Sequence, residues 1–211
     1  MRRPGLVILA AGASSRLGRC KALALLPSPD GGERTPIELL ASAGASFDGA
    51  VPLVVTGADH AEIAASDAVR RAGAEVVRNE RWSDGRTGGV LLAASRRSGL
   101  DLCVAPVDVP RVPRSVFDAL LSAWLAAGAP AEGWLAPSYR RPAGTVPEFG
   151  HPVVLGRKLL QHLSGNDAGT PLRTLRALAK PVFDVEVASP EILDDLDTEE
   201  DLERLRRDRS I

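Results

Sequence analysis

Short apolar runs alternate with amphipathic stretches along the whole chain. Residues 6–10, 51–56, 74–78, 100–107, 133–137, 151–155 and 181–187 have the length and branched, apolar content of buried strands. Residues 36–47, 59–72, 90–97, 113–127, 156–163, 170–179 and 199–207 read as helices. Thr35 with Glu38, Asp59 with Glu62, and Thr198 with Asp201 each have the spacing of a capping box, and Pro36 suits a first turn. Residues 27–34, 79–89 and 138–150 are rich in Gly, Pro and polar side chains and read as loops. Strands that alternate with helices at this spacing predict an α/β fold, a mostly parallel sheet covered on both faces. There is no internal repeat, and residues 1–211 read as one domain.

The first apolar run, 6–10, gives way abruptly to Ala11, Gly12, Ala13, Ser14 and Ser15. None of these carries bulk, so the backbone can pass close to a ligand. Their N–H groups, turned inward, would form an anion nest. Arg16 and Lys21 add two cations. Together they predict a phosphate-binding loop at the carboxyl end of the first strand, where ligands bind in open α/β sheets. The stretch fits neither the Walker loop nor Gly-x-Gly-x-x-Gly.

Composition narrows the partners. The chain has 211 residues, 45% hydrophobic and 25% charged, with a net charge of −1, so no overall basic field favours nucleic acid. Of 26 basic side chains only Lys21, Lys158 and Lys180 are lysines. A Lys at position 21 therefore goes against the chain's habit, and it offers a point charge where Arg offers a fork. Cys20 and Cys103 give neither a disulfide framework nor a metal motif. No apolar run reaches membrane-spanning length, which predicts a soluble, cytoplasmic protein without a membrane partner.

Other candidate groups stand at strand ends. Asp108 follows the strongly apolar run 100–107 and precedes Pro110. A carboxylate there suits Mg²⁺, which takes one or two carboxylates plus phosphate oxygens; capping the next helix is the alternative. Thr56 and Asn79 end the second and third strands and offer groups for a base or ribose, though Asn79 reads equally as a turn residue. Gly85 opens a second Gly-rich loop, 85–89, suited to backbone contact with base or sugar, and Arg86 within it reads as a phosphate contact or as a solvated residue. His151, between Gly150 and Pro152, reads equally as an acceptor contact and as a structural histidine. Asn166 and Asp167 lie in a polar turn before a helix, where amides suit an acceptor phosphate and Asp167 equally suits a cap. Asp197 reads as a helix-start residue or as a second metal carboxylate.

The stretch Leu9-Ala10-Ala11-Gly12-x-Ser14-x-Arg16-x-Gly18-x-x-Lys21 closely resembles the signature of nucleotidyltransferases that activate metabolites with an NTP. With Asn79, Val107-Asp108-Val109-Pro110, Gly150-His151-Pro152-Val153, the 164–169 turn and residues 195–202, the chain resembles the MobA-like NTP transferases, and within them the molybdenum-cofactor cytidylyltransferase branch. The resemblance implies a Rossmann-like three-layer fold of the nucleotide-diphospho-sugar transferase type. It implies transfer of a nucleotide from an NTP, CTP by preference, to molybdopterin, with Mg²⁺ required and pyrophosphate released. Leu9, Ala10, Ala11 and Gly12 would then hold base and ribose, Arg16 and Lys21 would clamp phosphates, and Asp108 would bind metal. A molybdoenzyme or cofactor-insertion protein would be the partner. The chain departs from the family in its longer 27–34 connection and in Thr87-Gly88-Gly89 where serines are usual. Transfer to a sugar phosphate or other phosphorylated metabolite is the alternative reaction. A non-catalytic nucleotide-binding protein is the alternative class, disfavoured by the joint presence of Arg16, Lys21 and Asp108.

Overall fold

Along the first strand, successive side chains enter opposite cores. Leu6, Ile8 and Ala10 join one buried cluster and Val7 the other. That two-sided burial is what a near-continuous apolar run requires of a central parallel strand. The computed structural model describes residues 2–47, 51–142, 144, 146–162 and 169–207. In chain order the strands are β1 (Gly5–Ala10), β2 (Leu26–Pro27), β3 (Glu33–Arg34), β4 (Leu53–Thr56), β5 (Glu75–Arg78), β6 (Leu102–Pro106), β7 (Trp134–Tyr139), β8 (Glu148–Phe149), β9 (Val153–Leu155) and β10 (Val182–Glu186). The helices are α1 (Pro36–Ala43), α2 (His60–Ala65), α3 (Asp67–Arg71), α4 (Arg86–Arg96), α5 (Arg114–Ala126), α6 (Arg173–Leu178) and α7 (Glu199–Arg207).

The main sheet runs β10-β7-β9-β6-β1-β4-β5, with β8 on β7. Strands β6, β1, β4 and β5 pair in parallel, as do β7 and β10, while β9 runs antiparallel between β6 and β7. Helices α1, α2, α3 and α5 bury their apolar residues with one face, and α4 and α6 with the other. The expected three-layer α/β arrangement with a mostly parallel sheet is thus present. Leu202 and Leu205 of α7 pack on Leu26 and Leu39, holding the short β2–β3 ladder against the body. Among the described residues, no helix is long and apolar enough to cross a membrane.

Two of the three expected capping boxes form. The Thr35 hydroxyl accepts from the Glu38 N–H, and the Glu38 carboxylate accepts from the Thr35 N–H at 3.0 Å. Thr198 and Asp201 make the same reciprocal pair. Asp59 makes no side-chain cap bond and faces a cavity instead, and its helix breaks at extended Ser66 into α2 and α3. The supposed loop 85–89 is a helix start: α4 begins at Arg86, not Val90. Gly89 explains why its glycines suit a helix here. A Cβ on it would meet Val55 at 3.4 Å and Leu9 at 3.5 Å, so the helix lies close on the sheet. Residues 156–163 give only a single 3-10 turn, Leu159–His162, among those described.

Candidate active site

The parallel strands β1 and β6 deliver their carboxyl ends to one cleft. Its cavity, of about 280 Å³, is lined by Leu9, Ala10, Ala11 and Gly12 from the end of β1, by Arg16 and Lys21 beyond them, and by Asp108 after β6. Ser14 shapes the loop. It adopts a positive φ of 49°, its carbonyl accepts from the N–H groups of Leu17 and Gly18, and its hydroxyl accepts from the Lys21 N–H at 3.1 Å. The strand end is pinned from the side: the Ala58 N–H donates to the Ala11 carbonyl, and a Cβ at Gly57 would lie 2.3 Å from that carbonyl oxygen. Only glycine allows that approach.

The cleft carries both signs of charge. Lys21 Nζ bonds Asp197 Oδ1 at 2.7 Å, and Arg16 bonds Asp197 Oδ2 at 2.7 Å. The Lys21 hydrogen bond, outweighing burial and helped by the Arg16 charge, holds the Asp197 carboxyl below the usual carboxylate range. Asp108 accepts from Arg86 through Oδ2, while its Oδ1 is buried with no hydrogen-bond partner. The Leu196 N–H donates to the Asp108 carbonyl at 2.7 Å, which ties the 194–198 segment to the end of β6. Asp195 lies in the same field. Burial, then the charges of Asp108 and Asp197, raises its carboxyl above the usual range. The Cys20 thiol lines the cleft but is pushed up to about 12 by burial and by Asp59, so it is no nucleophile at neutral pH.

A second cavity, of about 480 Å³, adjoins the first. It shares Leu9, Gly85, Arg86 and Pro106 with it and extends past His151 and Trp134 to Arg173. Burial depresses the His151 imidazole, and the nearby Asp108 charge only partly opposes this. Its Nδ1 is buried without a hydrogen-bond partner. Gly150 lets this segment close on its neighbour, since a Cβ there would lie 2.3 Å from the Ile192 carbonyl oxygen.

The structure thus gathers Leu9, Ala10, Ala11, Gly12, Arg16, Lys21, Gly85, Asp108 and Asp197 on the first cavity and His151 on the second. Thr56 is fully buried and lines neither; its hydroxyl donates to the Val77 carbonyl at 3.1 Å and pairs with His60. Asn79 is also off both walls. Its Oδ1 accepts from the Arg81 N–H, the turn bond expected of an Asn after a strand, and its Nδ2 is buried beneath α4 without a partner. Asn166 and Asp167 lie outside the described residues. Arg86, from the stretch read as a phosphate contact or a solvated residue, and Asp59, read as a helix cap, also line the first cavity, and Asp195 of the 195–202 element feels the charges of Asp108 and Asp197; Trp82, on the same wall, carried no sequence signal.

The arrangement can hold a polyphosphate. Lys21 and Arg16 line the cleft together with the small-residue loop, and Asp108 on the same cleft has one buried carboxylate oxygen without a partner. Among the described residues no three His, Cys, Asp or Glu side chains gather as a ready metal cage. A hard cation that keeps water and phosphate oxygens needs only one or two carboxylates, and the buried, unpartnered Oδ1 of Asp108 meets that need.

The model of the MobA-like NTP transferase domain matches residues 6–183 of the chain. No curated protein matches it in sequence. Among solved structures, a nucleotidyl transferase of Methanothermobacter is 21% identical, with 99% of this chain and 98% of that one covered and a TM-score of 0.72. Rv0371c of Mycobacterium tuberculosis H37Rv, in complex with manganese, is 22% identical over 98% of this chain and 99% of that one, with a TM-score of 0.66. The 2-C-methyl-D-erythritol 4-phosphate cytidylyltransferase of Thermus thermophilus is 18% identical over 99% and 100% of the two chains, with a TM-score of 0.68. At these identities the likeness is one of fold.

Proposed function

Because the chain belongs to the MobA-like NTP transferase family, we propose that it is a Mg²⁺-dependent enzyme that transfers a cytidylyl group from CTP to the phosphate of molybdopterin and releases pyrophosphate. That it is a nucleotidyltransferase follows from the family itself. The observation that carries the finer reading is the joining of Lys21, Arg16 and the buried, unpartnered oxygen of Asp108 in one cleft beside the β1 loop. Support for cytidine comes from the 150–153 and 164–169 sequence elements. A cytidylyltransferase and a manganese-bound protein also share the fold.

In this reading the backbone of Leu9, Ala10, Ala11 and Gly12 holds base and ribose. Lys21 and Arg16 exchange Asp197 for the triphosphate, a trade of one anion for another that leaves both cations paired. Asp108 would hold the metal, with Asp197 as a second carboxylate once the cations have left it. Bound Mg²⁺ would offset charge on the α-phosphate and on departing pyrophosphate. An acceptor phosphate oxygen attacks the α-phosphorus as the bond to the β-bridging oxygen breaks, and pyrophosphate leaves with that electron pair. The acceptor is already anionic, so no general base is required; catalysis is positioning and charge stabilisation. His151, whose imidazole burial depresses, contributes a polar contact at the acceptor cavity. The product would pass to a molybdoenzyme or its insertion partner.

The test is direct. With molybdopterin, Mg²⁺ and α-labelled CTP, label is expected in a pterin–cytidine diphosphate, with one pyrophosphate released per label transferred. No label in pterin, while CTP is bound, would overturn the acceptor assignment.

A further inference from the structure

Arg86 stands where the two cavities meet, and it lines both. It is the first residue of α4 and follows Gly85, whose φ of 134° turns the chain into the helix. Its side chain is 62% exposed, whereas that of its partner Asp108 is 12% exposed. The pair is therefore lopsided. Arg86 can leave into water at little cost. Asp108 would then be a buried carboxylate with both oxygens open, a costly state unless another cation arrives.

The second cavity gives Arg86 somewhere to go. Among the described residues, its charged lining is Arg86 and Arg173, and its remaining wall is largely apolar, with Val104, Trp134, Val153 and Leu172. Thr87 next to Arg86 is held by a hydrogen bond from its hydroxyl to the Thr170 carbonyl, which fixes the helix start against the far wall of this cavity. A phosphate on a largely apolar body would find two guanidinium groups there and no opposing carboxylate among the described lining residues. A guanidinium meets a phosphate with two parallel hydrogen bonds, a better partner than one carboxylate oxygen.

We propose that Arg86 is the receptor for the acceptor's phosphate, and that its handover from Asp108 to that phosphate couples acceptor binding to metal binding. This rests on the assignment of Asp108 as metal ligand and of the second cavity as acceptor site made above. In the free protein Arg86 neutralises Asp108. A phosphate in the second cavity draws Arg86 away and bares Asp108 for a divalent cation. A cation at Asp108 in turn releases Arg86 for phosphate. Each ligand therefore tightens the other by the same factor, as linkage requires. The metal on the nucleotide side of the site would thus be held more tightly when an acceptor is in place.

The probes are Mn²⁺ and inorganic phosphate, used on the full chain with saturating CTP so that the nucleotide's own phosphate sites are filled. The signal of free Mn²⁺ in electron paramagnetic resonance gives its affinity, corrected for Mn²⁺ bound by CTP and by phosphate in the absence of protein. In the wild type, phosphate is expected to tighten Mn²⁺ about 10-fold. In Arg86→Gln, Mn²⁺ is expected to bind more tightly than in wild type without phosphate, and phosphate is expected to change its affinity less than about 2-fold. Arg86 is exposed, so the variant should fold, and thermal denaturation confirms it. Equal phosphate coupling in wild type and Arg86→Gln, or none in wild type although Mn²⁺ binds with CTP, would overturn the handover alone. Failure of Mn²⁺ to bind the wild type with CTP would overturn the Asp108 assignment and this proposal with it.

Discussion

Asp108→Asn is expected to lower kcat/KM for nucleotide transfer by about 10³-fold, roughly 4 kcal/mol of transition-state stabilisation. The residue is buried at the end of β6, and one carboxylate oxygen has no protein partner. Asparagine keeps the size and one acceptor oxygen but removes the charge. It therefore separates loss of metal binding from loss of packing. The variant should retain the wild-type melting temperature without ligand to within a few degrees, because Arg86 is exposed and can return to solvent. It should lose the extra stabilisation that Mg²⁺ gives in the presence of nucleotide. Turnover within about 10-fold of wild type at saturating Mg²⁺ would show that the metal is held elsewhere.

Lys21→Ala is expected to weaken nucleotide binding by roughly 2–3 kcal/mol, about 100-fold. Lys21 is largely buried and reaches the cleft from a loop fixed by the bond of its own N–H to the Ser14 hydroxyl. In the free protein it is held by Asp197, so its ammonium is already positioned before phosphate arrives. Lys21→Arg should not restore affinity. The fork is larger than the ammonium it replaces, and the loop around it is built of small residues. Folding should survive, since Arg16 still pairs with Asp197 in the variant. Calorimetric titration with CTP and Mg²⁺ measures the effect, and unchanged affinity in Lys21→Ala would remove Lys21 from the phosphate site.

The parts of this protein written in local pattern were legible in its sequence. Buried strands showed as short apolar runs, and β1 and β6 were placed to within a few residues because nothing polar interrupts them. The boxes at Thr35 and Thr198 were legible because they close within one turn of helix. The small-residue loop after β1 was legible from composition alone, and it lines the first cavity. What escaped depends on contacts far apart in the chain. Asp59 had the spacing of a cap, yet its side chain faces the cleft. Residues 85–89 had the glycines of a loop, but Gly89 serves close packing of α4 on Val55 and Leu9. The reversed direction of β9 leaves no mark in its apolar run. The pairings Lys21–Asp197 and Arg86–Asp108 span 176 and 22 residues, and only the folded sheet brings them together. Thr56 and Asn79 stood at the right strand ends, but their side chains serve the backbone near those ends instead of the cavity walls.

In the proposed reaction the β1 cleft binds a nucleoside triphosphate together with a divalent cation. Thermal denaturation with CTP, GTP, UTP and ATP, each with and without Mg²⁺, tests it without any knowledge of the acceptor. A ligand held at 100 times its dissociation constant adds about 2.7 kcal/mol to apparent stability. For a chain of this size that is a rise of roughly 5–10 °C. A Mg²⁺-dependent rise, largest with CTP, is the predicted result. Melting temperatures unmoved by all four nucleotides, with Mg²⁺ and without, would contradict it.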